Sequence, residues 1–249
     1  MNSHLETNSF SLVIGFTLIA DMALVHRASA KSRIGVDTIQ TCLYSVNYRI
    51  NTGAILMTSI KQESLTPRDR ILEVASLLFY QNGIRAVGVD TIIAQADVAK
   101  MTFYKHFKSK ELLVLEFLNR RDEMWREWFV STVNKLAPRV EDRPLAIFDA
   151  LEQRFSRKDF RGCAFINTMV EMADGNHVIH EAAALHKQRV EKIIRSLLSE
   201  AGIKKSEELA KAFLLLMDGA IVTAVREKKP GSAAEAKRIA AFLLSTYKH

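Results

Sequence analysis

Residues 98–107 read VAKMTFYKHF. At about 100° per residue in a helix, Phe103 and Phe107 share a face, with Ala99 beside them. Met101 and Lys105 point the other way, flanked by Tyr104 and Lys108 on one side and Thr102 on the other. Two aromatic rings one turn apart need a core to cover them, and Ile92, Ile93 and a preceding helix are the near candidates. The opposite arc must then face outward. It offers cations for phosphate oxygens, a hydroxyl and an amine for base edges, and an apolar tip for a thymine methyl group. A solvated basic helix face has the same composition, so placement in the chain has to separate the two readings.

Upstream, Thr66 is a helix cap, Pro67 occupies the first helical position and Asp69 complements the dipole. Ile71, Leu72, Ala75, Leu78 and Phe79 form an apolar stripe that Gly83 ends. A short helix follows over about 90–96, then a tight turn at Asp97, then the quoted run as a helix over about 99–107. Two short helices joined by about three residues is helix-turn-helix geometry. That placement favours the DNA-facing reading. Downstream, Ser109 caps a long helix carrying Leu112, Leu115, Leu118, Trp125 and Phe129 until Pro138 stops it. Further helices are expected over about 143–155, 163–173, 178–201, 206–227 and 232–247, the last opening on SAAE, a capping box of Ser232 and Glu235. No strand is expected, so the fold class is all-α.

The chain has 249 residues, 48% of them hydrophobic, and a formal charge of +7. It is too apolar for general disorder, and its charge favours an anionic partner without naming one. Lys100, Lys105, Lys108 and Lys110 occur with no acidic residue between 98 and 110, which makes the positive charge there local and uncompensated. The two cysteines, Cys42 and Cys163, are far apart and show no metal-ligand spacing. Neither a disulfide framework nor a zinc site is indicated, and a reducing cytoplasm fits. The most apolar run, residues 10–24, includes Asp21 and has no basic lead-in. It is too short to span a bilayer and is a poor signal peptide. Residues 1 to about 56 show no sustained periodicity. Residues 1–65 are read as a poorly structured extension, either genuine or the result of a start-site assignment upstream of a true start at Met57.

The segment ILEVASLLFYQNGIRAVGVDTIIAQADVAKMTFYKHFKSKELLV, residues 71–114, resembles the DNA-binding domain of TetR-family transcriptional regulators. The shared pattern is A-x-x-LF-x-x-x-G, a T-x-x-I-A-like second helix, then T-F/L-Y-x-H/Y-F and S-K-x-x-L. The family usually places Gly in the turn where this chain has Asp97, and Asp tolerates the left-handed conformation better than most residues. The resemblance implies a DNA-binding domain over 66–126, with its motif at about 88–107. It implies that Lys100, Met101, Thr102 and Lys105 face the groove. Tyr104, His106 and Lys110 are implied to contact the DNA backbone, with Thr66 and Thr91 touching phosphates at helix starts. Capping of the recognition helix is an equal reading for His106.

For residues 127–249 the resemblance implies a helical domain that binds a small, largely apolar effector and dimerises. Phe148, Phe165, Met169, Met172, Leu185 and Met217 are candidate cavity residues, with Asn167, Glu171, His177 or His186 as polar contacts; simple core packing is the rival reading for each. Cys163 is read as a structural helix-start cysteine, with a redox role as its rival. The last two helices, rich in Ala and Leu, offer small-residue faces for a symmetric dimer. The expected protein is a homodimeric, ligand-released repressor of a pseudo-palindromic operator in double-stranded DNA, with no cofactor, metal or membrane partner. The rival is an unregulated or architectural DNA-binding protein whose C-terminal half only dimerises. An enzyme is not expected, since no GxSxG, HExxH, P-loop or paired-Cys pattern occurs.

Overall fold

The computed structural model describes residues 65–175 and 177–247, all within one unit of the chain, Ala54–His249. The readings placed on residues 1–64, including Met57, Cys42 and the apolar run, lie outside the described residues. Among the described residues all regular structure is helical, and no helix is long and apolar enough to cross a membrane.

Helix α1 (Pro67–Asn82) starts where the Thr66 hydroxyl accepts from the Asp69 amide at 3.2 Å and donates to the Asp69 carboxylate at 2.6 Å. Gly83 stops it at φ 87° and ψ 158°, a region open essentially only to glycine. Helices α2 (Val89–Ala96) and α3 (Lys100–His106) are joined through Asp97, which takes the left-handed conformation with φ 49° and ψ 57°. The turn is closed by the Val98 amide on the Ile93 carbonyl at 3.3 Å and by Arg70 on the Asp97 carbonyl at 3.3 Å. An aspartate therefore fills the position that glycine most often takes.

Helix α4 (Lys110–Leu136) begins at Ser109, whose hydroxyl accepts from the Leu112 amide at 3.1 Å. It belongs to two cores. Leu113, Val114, Phe117 and Leu118 join the buried cluster of α1 to α3, while Phe129 and Val133 join the second cluster. After a short turn at Val140–Asp142 come α5 (Arg143–Phe155), α6 (Ala164–Glu171), α7 (Val178–Glu200), α8 (Ser206–Glu227) and α9 (Ser232–Thr246). The second core packs α5, α7, α8 and α9 against the C-terminal half of α4. The first cluster also takes in Ala164, Phe165, Ile179 and Ala183, so α6 and the start of α7 continue the core of the N-terminal head.

Two local expectations are corrected. The capping box of Ser232 and Glu235 does not form: Gly231 holds the cap position and the Ser232 hydroxyl donates to the Ala220 carbonyl on α8 at 2.8 Å. A neighbouring helix offered an acceptor that the local sequence could not show. Most of the small residues of the last two helices also face inward: Ala220, Ala224, Ala233, Ala236 and Ala240 are buried, while Gly219 and Ala234 stay exposed. The buried alanines let α8 and α9 approach each other, and larger residues occupy the outer face.

Candidate nucleic-acid interface and the core behind it

Phe103 is fully buried and Phe107 is 3% exposed, their rings 6.2 Å apart in one cluster with Ile92 and the apolar face of α1. Arg68 covers the outer side of Phe107 at 5.2 Å and pairs with Glu116 at 2.8 Å. With its back fixed in this way, α3 turns Met101 (86% exposed), Tyr104 and Lys105 to solvent. Lys100 and Lys108 are exposed and Thr102 is half-buried. Ala99 lies not beside the rings but at the exposed N-cap of α3.

The positive charge is less isolated than the local sequence suggests. Lys100 reaches Asp90 on α2 at 3.4 Å, a partner that a count over 98–110 misses. Lys105 and Lys108 have no ion pair among the described residues. Thr91 is exposed in the first turn of α2, whereas the exposed Thr66 already uses its hydroxyl in the α1 cap. His106 is half-buried and makes no hydrogen bond to its own helix among the described residues. Lys110 is half-buried at the first position of α4. Burial lowers its pKa, with Glu171 partly opposing the shift.

Behind this surface lies a polar seam. The Tyr80 hydroxyl, from α1, donates to the Gly162 carbonyl at 3.1 Å and accepts from the Arg161 amide at 2.9 Å and from Arg154 at 3.3 Å. The Arg121 guanidinium of α4 lies 3.8 Å from the Tyr80 ring. Glu171, at the end of α6, accepts from the Arg85 amide at 2.8 Å, just past Gly83. A cavity of about 150 Å³ opens beside this seam, lined by Phe79, Gly83, Phe117, Arg161, Asn167 and Glu171 among others.

The centre of the C-terminal half holds a buried charge. Asp122, 2% exposed, accepts from His186 Nδ1 at 2.6 Å, Arg189 at 2.6 Å and Arg126 at 3.0 Å. Burial works against its carboxylate, but these donors outweigh that and hold its pKa below the usual range. Burial pushes His186 down to about 4, against the pull of Asp122, so the imidazole is neutral near pH 7 and donates a hydrogen bond from Nδ1–H to the carboxylate. Phe165 stacks on the imidazole at 3.5 Å, and Trp125 meets it edge-on at 5.3 Å. Beside the ring is a cavity of about 30 Å³ between α4, α5, α6, α7 and α8.

Of the sequence-derived cavity residues, Phe165, His186 and Met217 line this smaller cavity, and Asn167 and Glu171 line the larger one. Phe148, Met169 and Met172 line neither: Phe148 packs on Phe213 at 5.6 Å, and the two methionines pack on the head cluster. Leu185 is 43% exposed, and His177 caps α7 by accepting from the Ile179 amide at 3.2 Å. Cys163 is half-buried at the N-cap of α6. Burial works against the Lys187 ammonium nearby, yet Cys163 and Asp218 outweigh it and raise its pKa.

Tyr80, Arg121 and Asp122 were not singled out from sequence. Asp122 had a signal, since it falls on the apolar stripe of α4 between Leu118 and Trp125. Tyr80 had none, because its partners lie 74 to 82 residues away.

The family model described as "Bacterial regulatory proteins, tetR family" matches residues 71–117. The model described as "Transcriptional regulator LmrA/YxaF-like, C-terminal domain" matches residues 145–239. The HTH-type transcriptional regulator QacR of Staphylococcus aureus (strain Mu50 / ATCC 700699) is 42% identical over 60 residues, a match covering 24% of this chain and 32% of that protein, so the likeness spans about a third of that relative. The HTH-type transcriptional regulator YjdC of Escherichia coli (strain K12) is 22% identical over 180 residues, covering 71% of this chain and 93% of that protein. A crystal structure of a TetR-family transcriptional regulator from Streptomyces coelicolor matches with a TM-score of 0.68 at 27% identity, covering 74% of this chain and 96% of that one.

Proposed function

Because the chain belongs to the TetR family of transcriptional regulators, we propose that it is a cytoplasmic, homodimeric repressor that holds a pseudo-palindromic operator and releases it when a small molecule enters its C-terminal half. The observation that carries the reading is the outward arc of α3, with Met101, Tyr104 and Lys105 exposed behind a left-handed turn and two buried phenylalanine rings. Lys100, Met101, Thr102 and Lys105 read base edges, while Tyr104, His106, Lys110 and Thr91 hold phosphates. Thr66 reaches a phosphate only by giving up its bond to Asp69. Two such helices, about 34 to 36 Å apart, meet successive turns of the duplex.

Leu215, Val222, Ile239 and Phe242, exposed by 41% to 75% on α8 and α9, support self-association through the last two helices. Such a row of large apolar side chains on neighbouring helices is what a self-complementary interface uses. The cavity beside His186 supports a regulatory ligand. Because it holds only about 30 Å³, room for little more than one water, a ligand must select a conformer with a wider cavity, and that differential affinity drives release.

The experiment is selection of bound duplexes from a random pool, followed by anisotropy titrations. Lys105→Ala is expected to cost about 1–3 kcal/mol and to relax preference at one or two operator positions. Unchanged preference in the variant removes Lys105 from the groove, and failure to bind any duplex at low salt removes the regulator reading.

A further inference from the structure

The cavity beside His186 places polar groups of unequal standing in one apolar wall. Arg121, Arg154 and Lys187 line it against a single acid, Asp218. Lys187 is paired with Asp218, and Arg154 is engaged with the Tyr80 hydroxyl and Asp159. Arg121 differs. It makes no hydrogen bond and no ion pair among the described residues, and its guanidinium rests on the Tyr80 ring. His186, 2% exposed, spends its Nδ1 proton on Asp122 and leaves Nε2 as an acceptor with no partner among the described residues. Trp125, Phe155, Phe160 and Phe165 supply aromatic walls.

We infer that the effector is a small hydroxyaryl carboxylate, its carboxylate taken by Arg121 and its hydroxyl donated to Nε2 of His186. The inference rests on the ligand-release reading above. A guanidinium presents a planar fork of donors that suits a carboxylate better than a ring face does. The lone pair of a neutral imidazole repels a carboxylate and accepts from a hydroxyl, which sets the ligand's direction in the cavity. The route to DNA follows from what Arg121 leaves behind. Its guanidinium covers the ring of Tyr80, whose hydroxyl is held by Arg161 and Gly162 in the same loop that carries Phe160 and Gly162 into the cavity wall. An anion that draws Arg121 away and parts this loop loosens both holds on Tyr80, and Tyr80 belongs to α1 of the DNA-binding head.

The test compares para-hydroxybenzoate with para-hydroxybenzamide, equal in shape and differing in charge, by calorimetry on the full chain and by anisotropy on a selected duplex. The acid is expected to bind at least about tenfold tighter than the amide and to lower duplex affinity by a similar factor. Arg121→Met, which keeps an apolar stem on Tyr80, is expected to abolish the preference, with its fold checked by circular dichroism. Equal binding of acid and amide, preference retained in Arg121→Met, or no binding of the acid at millimolar concentration overturns the ligand class. The comparison on the unaltered protein stands if the variant does not fold. Acid-selective binding without loss of duplex affinity supports the class and overturns the release reading. Release by a neutral molecule, with no acid binding, does the reverse.

Discussion

At Gly83 the backbone takes φ 87° and ψ 158° with the Glu171 carboxylate close by; an added Cβ would meet its Oε1 at 2.8 Å. An alanine there would be strained by its own backbone and would push away the acceptor of the Arg85 amide. Gly83→Ala is expected to destabilise the protein by about 1–3 kcal/mol, measured by urea denaturation. A change within experimental error would show that the turn adapts. His186 ties stability to pH. Its pKa falls from 6.5 to about 4 on folding, so between these values the unfolded chain binds the proton that the folded chain refuses. Stability therefore declines as pH drops through that window, by about 3 kcal/mol in all. His186→Asn, whose amide can still donate to Asp122, should lose correspondingly less between about pH 7 and about pH 4. Equal losses in the two proteins would refute the assignment.

Among the elements, the proposed DNA contacts are divided between α3 and the start of α4. Lys110 stands at the first position of α4, where the unpaired amides of a helix start favour a phosphate. Lys110→Ala is expected to weaken all duplexes alike and to flatten the dependence of log K on log salt by about 1. A loss confined to certain sequences would instead give Lys110 a role in reading bases. The helices were legible because their ends carry chemistry that acts locally: Thr66, Gly83 and Ser109 need only the next few residues to cap or stop a helix. Asp97 was legible for the same reason, since its conformation is a property of one residue. The SAAE signal failed because the Ser232 hydroxyl found the Ala220 carbonyl on another helix. Tyr80 and Arg121 were invisible because their importance lies in partners brought close by the fold, and no period or spacing encodes that.

Across the molecule, α8 and α9 bury most of their alanines and leave large apolar side chains exposed. Alanines close the subunit from within, and Leu215, Val222, Ile239 and Phe242 remain outside. Phe242→Glu puts a charge on that face while leaving the buried alanines untouched. It is expected to yield monomers in analytical ultracentrifugation and to lower duplex affinity by about a hundredfold or more, as two linked half-sites become one. A dimer of unchanged strength would place the interface elsewhere. Helix α4 runs between the two cores. Its 27 residues make a rod about 40 Å long, its C-terminal half rooted in the second core and its N-terminal half built into the core of the head. A tilt of about 5° about its rooted end swings the tip by about 3.5 Å, close to the rise of one base pair. In the proposed dimer, leverage of this size would take both heads out of register with their half-sites while every helix stays folded.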